Sequence, residues 1–437
     1  MVLKPKVAIV VGAVTSALIA VVITVVIVVV RNKAANSSST SAATVTPTPS
    51  AATTGTVLDT FPLSAASTVI VNAQQQPVLL HGLNWPAHLD YMIPEGLQFQ
   101  SLNVIVSNIT ALGLNSVRLT YATQMVDEFF GDSVDTLPSR TNRTLDGFVP
   151  TNILAQIMLA NPWISSTTTT MDIFDRAVNS LAQAGLMVIL DNHVSRAMVC
   201  CEDNDGNGFF GDTYFNITRW IRGLEFIAGR YSNVSQVVAI SLRNELRTQI
   251  TDWQGAWYTN MANAAVVVHN ANPNALVIVS GINYASTLAF LQDDPFNVTT
   301  TYPALKKKIV YEVHWFSTAY SNSTDWTNDP TACTTVTALE NENAGFVLQS
   351  SYSYKAPLLL TEFTVNTDLF TSAPSWDHNF FECVMAWTQP NSIGWLQWVI
   401  SASYYTNVTK DAGLGLLTTD FSGPSNQEYV NALKNYL

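Results

Sequence analysis

The sequence predicts an α/β protein built on a (β/α)8 barrel, and three observations carry that prediction. Short β-branched runs alternate with helical stretches from residue 57 onward, eight such runs can be counted, and each is almost continuously apolar until its last few residues. Strands buried on both faces of a parallel sheet read this way, because helices cover one face and packed side chains the other. Eight β-α units close a barrel. An open doubly wound sheet is the alternative; it is disfavoured because no glycine-rich phosphate loop follows the first strand, where HGLNWPAH stands.

From the N-terminus, residues 7–30 form an uncharged Val/Ile-rich stretch long enough to cross the roughly 30 Å hydrocarbon layer as a helix. A cleaved signal peptide is the rival reading, but its apolar core usually runs about 7–15 residues to a small-residue cleavage site. Here the run is longer and Arg31 and Lys33 close it, so residues 1–33 read as a membrane anchor. Residues 34–56 (AANSSSTSAATVTPTPSAATTGT) are too poor in large apolar side chains to fold and form a tether, with the composition of an O-glycosylated stalk. N-glycosylation sequons at Asn36, Asn108, Asn142, Asn216, Asn233, Asn297, Asn322 and Asn407 add to the expectation of an extracellular or lumenal domain over residues 57–437, secreted if the N-terminal segment is cleaved.

Within that domain, STVIVNAQQQPVLL predicts a two-strand hairpin whose second arm runs into the first barrel strand and covers the barrel floor. The predicted strands are 78–86, 116–122, 187–193, 237–245, 275–282, 309–316, 358–364 and 393–400. Amphipathic helices are expected between them, among them 101–112, ended by Gly113, and 172–184, ended by Gly185. The stretch 123–170, rich in Asn, Thr and Pro, reads as an insertion and not as a second domain.

The chain carries 20 basic against 32 acidic side chains, and four of the basic ones fall in the first 56 residues, which hold no acid. So acidic a domain repels phosphates, which excludes nucleic acid as a partner. Cys200, Cys201, Cys333 and Cys383 fit no zinc spacing; disulfides are expected, with buried thiols the alternative. All three pairings stay open, although a bond between the adjacent Cys200 and Cys201 would be strained. DNDGNG at 203–208 matches the first half of a calcium loop, but Tyr214 stands at the twelfth position. It reads as a turn bordering the cleft with Phe209 and Phe210.

In such a barrel, functional groups sit at the C-terminal ends of the strands, which here supply Trp85, Arg118, His193, Asn244, Glu245, His314, Glu362 and Trp398. A carboxylate ending an otherwise apolar strand is costly to bury. Glu245 and Glu362, on the fourth and seventh strands, are therefore read as functional groups facing each other across the barrel mouth. Glycosidic bond cleavage needs such a pair, one to protonate the departing oxygen and one to attack or stabilise the anomeric carbon. The acid needs a raised pKa, and the nucleophile needs donors that keep it ionised, a role open to Arg118 and the imidazoles. Trp85, Trp315, Trp395 and Trp398 offer flat faces for sugar rings, with core packing the alternative for each. His88, Asp90 and Glu95 read as a solvated loop, with contact to substrate the alternative, and His269 and His378 read as structural.

In chain order, VLLHGLNWP, the Arg of VRLTYA, the His of LDNH, the Asn-Glu of SLRNE, the His of YEVHWF, the Glu of LLLTEF and the Trp of WLQW resemble glycoside hydrolase family 5, the cellulase-type branch of the retaining barrel glycosidases, over about residues 60–437. The resemblance implies that Glu245 is the general acid/base and Glu362 the nucleophile. It implies that Asn244 binds the hydroxyl next to the anomeric carbon, that Arg118 and His193 support the nucleophile and the first-bound sugar, and that His314 and Trp398 line the site. Trp85 and Trp315 are the further substrate-binding candidates. The implied substrate is a β-linked glycan, most simply a β-1,4-glucan cleaved with retention. Mannan, β-1,3-glucan, transglycosylation and a binding-only barrel are the alternatives. No metal or cofactor is needed, and a monomer is expected. Leu246 replaces a common Pro with little consequence. Phe316 replaces the Tyr of a common His-x-Tyr; losing that donor to the nucleophile costs on the order of 1.5–3 kcal/mol unless Tyr311 or another tyrosine compensates.

Overall fold

Every one of the eight predicted runs contains a barrel strand in the computed structural model, which describes residues 60–131, 142–318, 325–406, 411 and 413–437. After the short β1 (Ser64–Ala66) and β2 (Val69–Val71) come β3 (His81–Trp85), β4 (Ser116–Ala122), β5 (Met187–Val194), β6 (Val237–Ser241), β7 (Leu276–Ser280), β8 (Ile309–Trp315), β9 (Leu358–Phe363) and β10 (Gly394–Gln397). The eight longer strands pair in parallel in the order β10-β3-β4-β5-β6-β7-β8-β9 and close into a barrel. All of this lies within one compact unit, Gly55–Leu437. The expected anchor and tether, residues 1–56, fall outside the described residues. Among the described residues no helix is long and apolar enough to cross a membrane.

The barrel interior is sealed below by a cluster that includes Leu80, Ile189, Ala239, Ile278, Val310, Leu359 and Leu396, into which the N-terminal segment inserts Leu63 and Ile70. That segment covers the floor as expected. The predicted hairpin is short, its arms joined at the bridge of Val71 to Pro77 by the Asn72 N–H to Gln76 carbonyl and Val78 N–H to Ile70 carbonyl bonds (2.9 Å each), and β2 pairs antiparallel with β1 as well, around a turn at Ser67.

Outside the barrel, helix α1 (Leu102–Ala111) is N-capped by Ser101, whose Oγ accepts from the Val104 N–H at 3.3 Å, and the chain leaves it through Gly113 at φ +87°. Helix α2 (Thr170–Gln183) begins two residues earlier than predicted because Thr169 and Asp172 form a reciprocal capping box. It buries Ile173, Phe174, Ala177, Val178 and Leu181 in the main core. Leu145, Leu154 and Ile157 of the 123–170 stretch join the same core, so that insertion belongs to the barrel domain. Of the pairings left open by the sequence, the structure forms Cys200–Cys201 and Cys333–Cys383.

Candidate active site

Side chains of a strand alternate between its two faces. On β8, Glu312 and His314 point into the barrel, so Trp315 points out, where it packs edge-on against Phe380 and Trp387 with centroids 5.7 and 5.5 Å away. Asn84 likewise points inward, turning Trp85 outward to donate from Nε1 to the Glu95 carbonyl at 2.9 Å. Both indoles are 0% exposed and present no face to a ligand. The expectation that Trp85 and Trp315 bind substrate is therefore corrected: they are core residues of the helical layer. Trp395 is buried too, stacked on His81.

The inward side chains converge on Arg118, which is fully buried. Its Nη1 donates to Glu362 Oε1 (2.6 Å) and Asn84 Oδ1 (3.0 Å), and Nη2 donates to Asn244 Oδ1 (2.9 Å). Nη2 also lies 2.9 Å from Asp191 Oδ1 and 3.8 Å from Glu312 Oε2. Burial alone lowers a guanidinium's pKa, but Asp191, Glu362 and Glu312 outweigh it and keep Arg118 charged. His193 places Nδ1 at 2.6 Å from Asp191 Oδ2 and Nε2 at 3.3 Å from Asn244 Nδ2. Burial holds its pKa well below the ordinary value. The neutral ring therefore donates from Nδ1 to Asp191 and accepts the Asn244 amide at Nε2. The Asn244 side chain is thus fixed at both its oxygen and its nitrogen.

Two local distortions aim the carboxylates. Glu245 takes a left-handed backbone, φ +38°, a conformation that costs a non-glycine residue on the order of 1–3 kcal/mol and concentrates at functional sites. Between Val313 and His314 the β8–β9 register slips, the partner jumping from Leu360 to Glu362. Thr361 still points inward, donating to Glu312 Oε2 at 2.8 Å, and the irregularity turns the next residue, Glu362, to the mouth as well. Glu245, His314 and Glu362 then hold ligand-type atoms all within 4.8 Å of one another. His314 Nδ1 is 2.9 Å from Glu245 Oε1 and 3.8 Å from Glu362 Oε2. Burial lowers the pKa of His314 and raises both glutamates to about 7, against the pull of Arg247 and Arg118 on Glu245 and of His314 and Arg118 on Glu362. Only Glu362 touches Arg118, so the charge of the pair settles there and the proton on Glu245.

Both carboxylates open into a cleft of about 490 Å³ lined also by Cys200, Cys201, Tyr284, Phe316 and Trp398. Trp398 is fixed by its Nε1 bond to Asp411 Oδ2 (2.9 Å) and by stacking on His193, with centroids 5.3 Å apart at 15°. Phe209 and Phe210 do not border this cleft; they pack with each other and with Phe215 and Trp220 in the wall. In the loop that resembles a calcium site, Asp205 is paired with Arg247 and Asp203 accepts from the Tyr284 hydroxyl, so its acids hold the loop in place. Sequence reasoning missed Asn84, Asp191, Glu312 and Asp411. It also placed His88 and Glu95 in a solvated loop. His88 is buried against His193 (centroids 4.0 Å), and Glu95, also buried, accepts the Tyr405 N–H at 2.8 Å. The signal for Asp191 and Glu312 was a charge inside an apolar strand. Asp411 gave none.

The family model for cellulase (glycosyl hydrolase family 5) matches residues 71–403. A glycosyl hydrolase 5 family protein from Chamaecyparis obtusa is 35% identical over 372 residues; the alignment covers 82% of this chain and 62% of the relative, so the chain spans less than two thirds of that relative's length. An endoglucanase from Paenibacillus polymyxa is 23% identical over 369 residues, 81% of each chain. The catalytic domain of the major endoglucanase from Xanthomonas campestris pv. campestris shares the fold, with a TM-score of 0.66 at 18% identity over 85% of this chain and 99% of that one. The family match spans both carboxylates and most of the barrel, and the chain belongs to glycosyl hydrolase family 5.

Proposed function

We propose that this protein is a retaining β-glycosidase, most simply an endo-β-1,4-glucanase working by double displacement. The observation that carries the reading is the short approach of Glu245 and Glu362, whose oxygens lie within 4.8 Å. Retaining enzymes separate their carboxyl groups by about 5–5.5 Å, whereas inverting ones need about 6.5–9.5 Å to admit a water. Glu362, held ionised by Arg118, attacks the anomeric carbon while Glu245 protonates the leaving oxygen. Glu245 then takes a proton from the water that releases the sugar. Asn244, clamped between Arg118 and His193, meets the hydroxyl beside the anomeric carbon. An open cleft suits attack within a polymer, and an N-terminal anchor with a Ser/Thr-rich tether suits a substrate outside the cytosol.

A catalytically weak barrel is the second reading, and Phe316 favours it. Tyr311 points to the outer face of β8, and among the described residues no tyrosine hydroxyl donates to Glu362. The test is reducing-end release by the full-length chain from β-1,4-glucan, β-mannan, β-1,3-glucan and xylan, with Glu245→Ala and Glu362→Ala as controls. Release from one glycan, lost in both variants, is the expected result. Glycan binding without release from any of the four overturns the hydrolase reading in favour of the binding one.

A further inference from the structure

We propose that the Cys200–Cys201 disulfide is a substrate-binding element, a sulfur ledge beside the acid/base on which the apolar C–H face of a pyranose ring rests, and that reducing it weakens binding. The proposal rests on reading the cleft as a glycan site. Both cysteines are half-buried and line the cleft together with Glu245 and Glu362. Each Sγ lies 3.8 Å from Asn244 Nδ2, and both sulfurs and a Glu245 oxygen fall within 4.8 Å of one another. The ledge therefore abuts the point where the scissile bond must lie.

A purely structural role accounts poorly for this bond. A disulfide stabilises chiefly by closing a loop in the unfolded chain, and with a sequence separation of 1 there is almost no loop to close. Cys333–Cys383, with a separation of 50, joins the helices Ala332–Asn343 and Trp376–Thr388 and fits that role. Nor does the loop need the bond to hold its place. Arg247 Nε donates to the Glu202 carbonyl (3.0 Å), its Nη1 donates to the Glu245 carbonyl (2.9 Å), and its guanidinium pairs with Asp205. Asn207 Oδ1 accepts the N–H groups of Ser195 and Arg196, each at 2.9 Å. The same arginine thus ties the cysteine-bearing loop to the acid/base residue and fixes the height of the ledge relative to it.

What the bond supplies is surface. Two joined sulfurs present a polarizable, uncharged patch with no hydrogen to donate, suited to C–H contacts and opposite in character to the acceptor-rich carboxylates beside it. A dithiol reductant breaks the S–S bond, delivers two electrons and two protons to give two thiols, and is itself oxidised to a cyclic disulfide. The thiols no longer share a bond, so the sulfurs separate to van der Waals distance and the ledge loses its shape.

The test uses full-length protein and cellotetraose. The variant C333S/C383S leaves Cys200–Cys201 as the one remaining pair of cysteines, so dithiothreitol then acts on that bond alone. Reduction of this variant, and separately the double variant C200S/C201S, are expected to raise KM about five- to tenfold with kcat within about twofold. The same loss is expected in the Kd for cellotetraose measured by calorimetry in a Glu362→Gln background. Unchanged KM and Kd after confirmed reduction overturn the proposal, and so does a fall in kcat at constant KM. Should C200S/C201S fail to fold, reduction of C333S/C383S decides alone. The calorimetric arm separates the two readings: a disulfide-dependent Kd without any hydrolysis keeps the ledge and sinks the hydrolase, while hydrolysis indifferent to the disulfide does the reverse.

Discussion

Glu245 and Glu362 stand within 4.8 Å of each other with His314 between them, yet of the two carboxylates only that of Glu362 hydrogen-bonds a permanent cation, Arg118 Nη1 at 2.6 Å. Two buried carboxylates this close cannot both ionise cheaply, so the pair shares one negative charge near neutrality and Arg118 draws it to Glu362. On the proposed mechanism that asymmetry divides nucleophile from acid. Glu362→Gln keeps the shape and the Arg118 contact but removes the proposed nucleophile, and it is expected to lower kcat by at least about a thousandfold with an unchanged circular dichroism spectrum. Turnover within tenfold of the parent chain would refute the assignment.

The same pair sets the pH profile. The proposed mechanism needs Glu362 ionised and Glu245 protonated, and burial pushes both up to about 7. The profile of kcat/KM is therefore expected to be a narrow bell centred near pH 6–7, its acid limb following Glu362 and its alkaline limb Glu245. Glu245→Gln, assayed on an aryl glycoside whose leaving group needs no proton, should lose the alkaline limb. A limb that persists there belongs to another group.

Stability carries the opposite signature. A carboxyl whose pKa rises from 4.5 when unfolded to about 7 when folded holds its proton more tightly in the native state, so its contribution is fully present below pH 4.5 and fades as pH climbs through 7. Glutamine keeps the neutral form at every pH. Glu245→Gln is expected to match the parent's unfolding free energy at pH 4.5 and to exceed it at pH 8, on the order of 1–3 kcal/mol by denaturant titration. Equal curves at both pH values would mean that Glu245 ionises in the native state without penalty.

The barrel and the meeting of Arg118, His193, Asn244, Glu245, His314 and Glu362 were legible because strands buried on both faces leave apolar runs, against which a polar residue at the strand end stands out. Which way a residue faces was less legible. Trp85 and Trp315 sit beside inward-facing Asn84 and His314, and pleat phase sends them to the helical layer. Glu362 reaches the mouth only through the register slip opposite His314, which no composition announces. Asp191 and Glu312 lie within the strands and became intelligible once Arg118 was seen between them. Asp411, Cys200 and Cys201 arrive on loops, whose path a periodic pattern does not encode.

Arg118 holds the interior charges together. Asp191, Glu312 and Glu362 surround it at 2.6–3.8 Å, all buried. Arg118→Met keeps much of the volume and deletes the cation, leaving three carboxylates to repel one another in a dry interior. Removing one partner of a buried ionic group costs about 3–5 kcal/mol, and that loss is expected in unfolding free energy at pH 7. It should shrink as pH falls and the carboxylates take up protons. A loss of the same size at pH 4.5 would assign the damage to packing and not to charge.

Phe316 lines the cleft two residues beyond His314, its ring edge-on to that imidazole at 6.1 Å. Tyr404, close enough to feel the charge of Glu362, gives its hydroxyl to Asp411 instead. Stabilisation of the Glu362 carboxylate thus falls on Arg118, with neutral His314 farther off. Phe316→Tyr adds a donor on the same ring, and one charge-assisted hydrogen bond to a carboxylate is worth about 1.5–3 kcal/mol. If the new hydroxyl reaches Glu362 during the reaction, kcat is expected to rise about ten- to a hundredfold with KM little changed, and the acid limb to move to lower pH. A lower limb without faster turnover would mean that the bond forms but stabilises the resting nucleophile as much as the transition state, which leaves the barrier where it was.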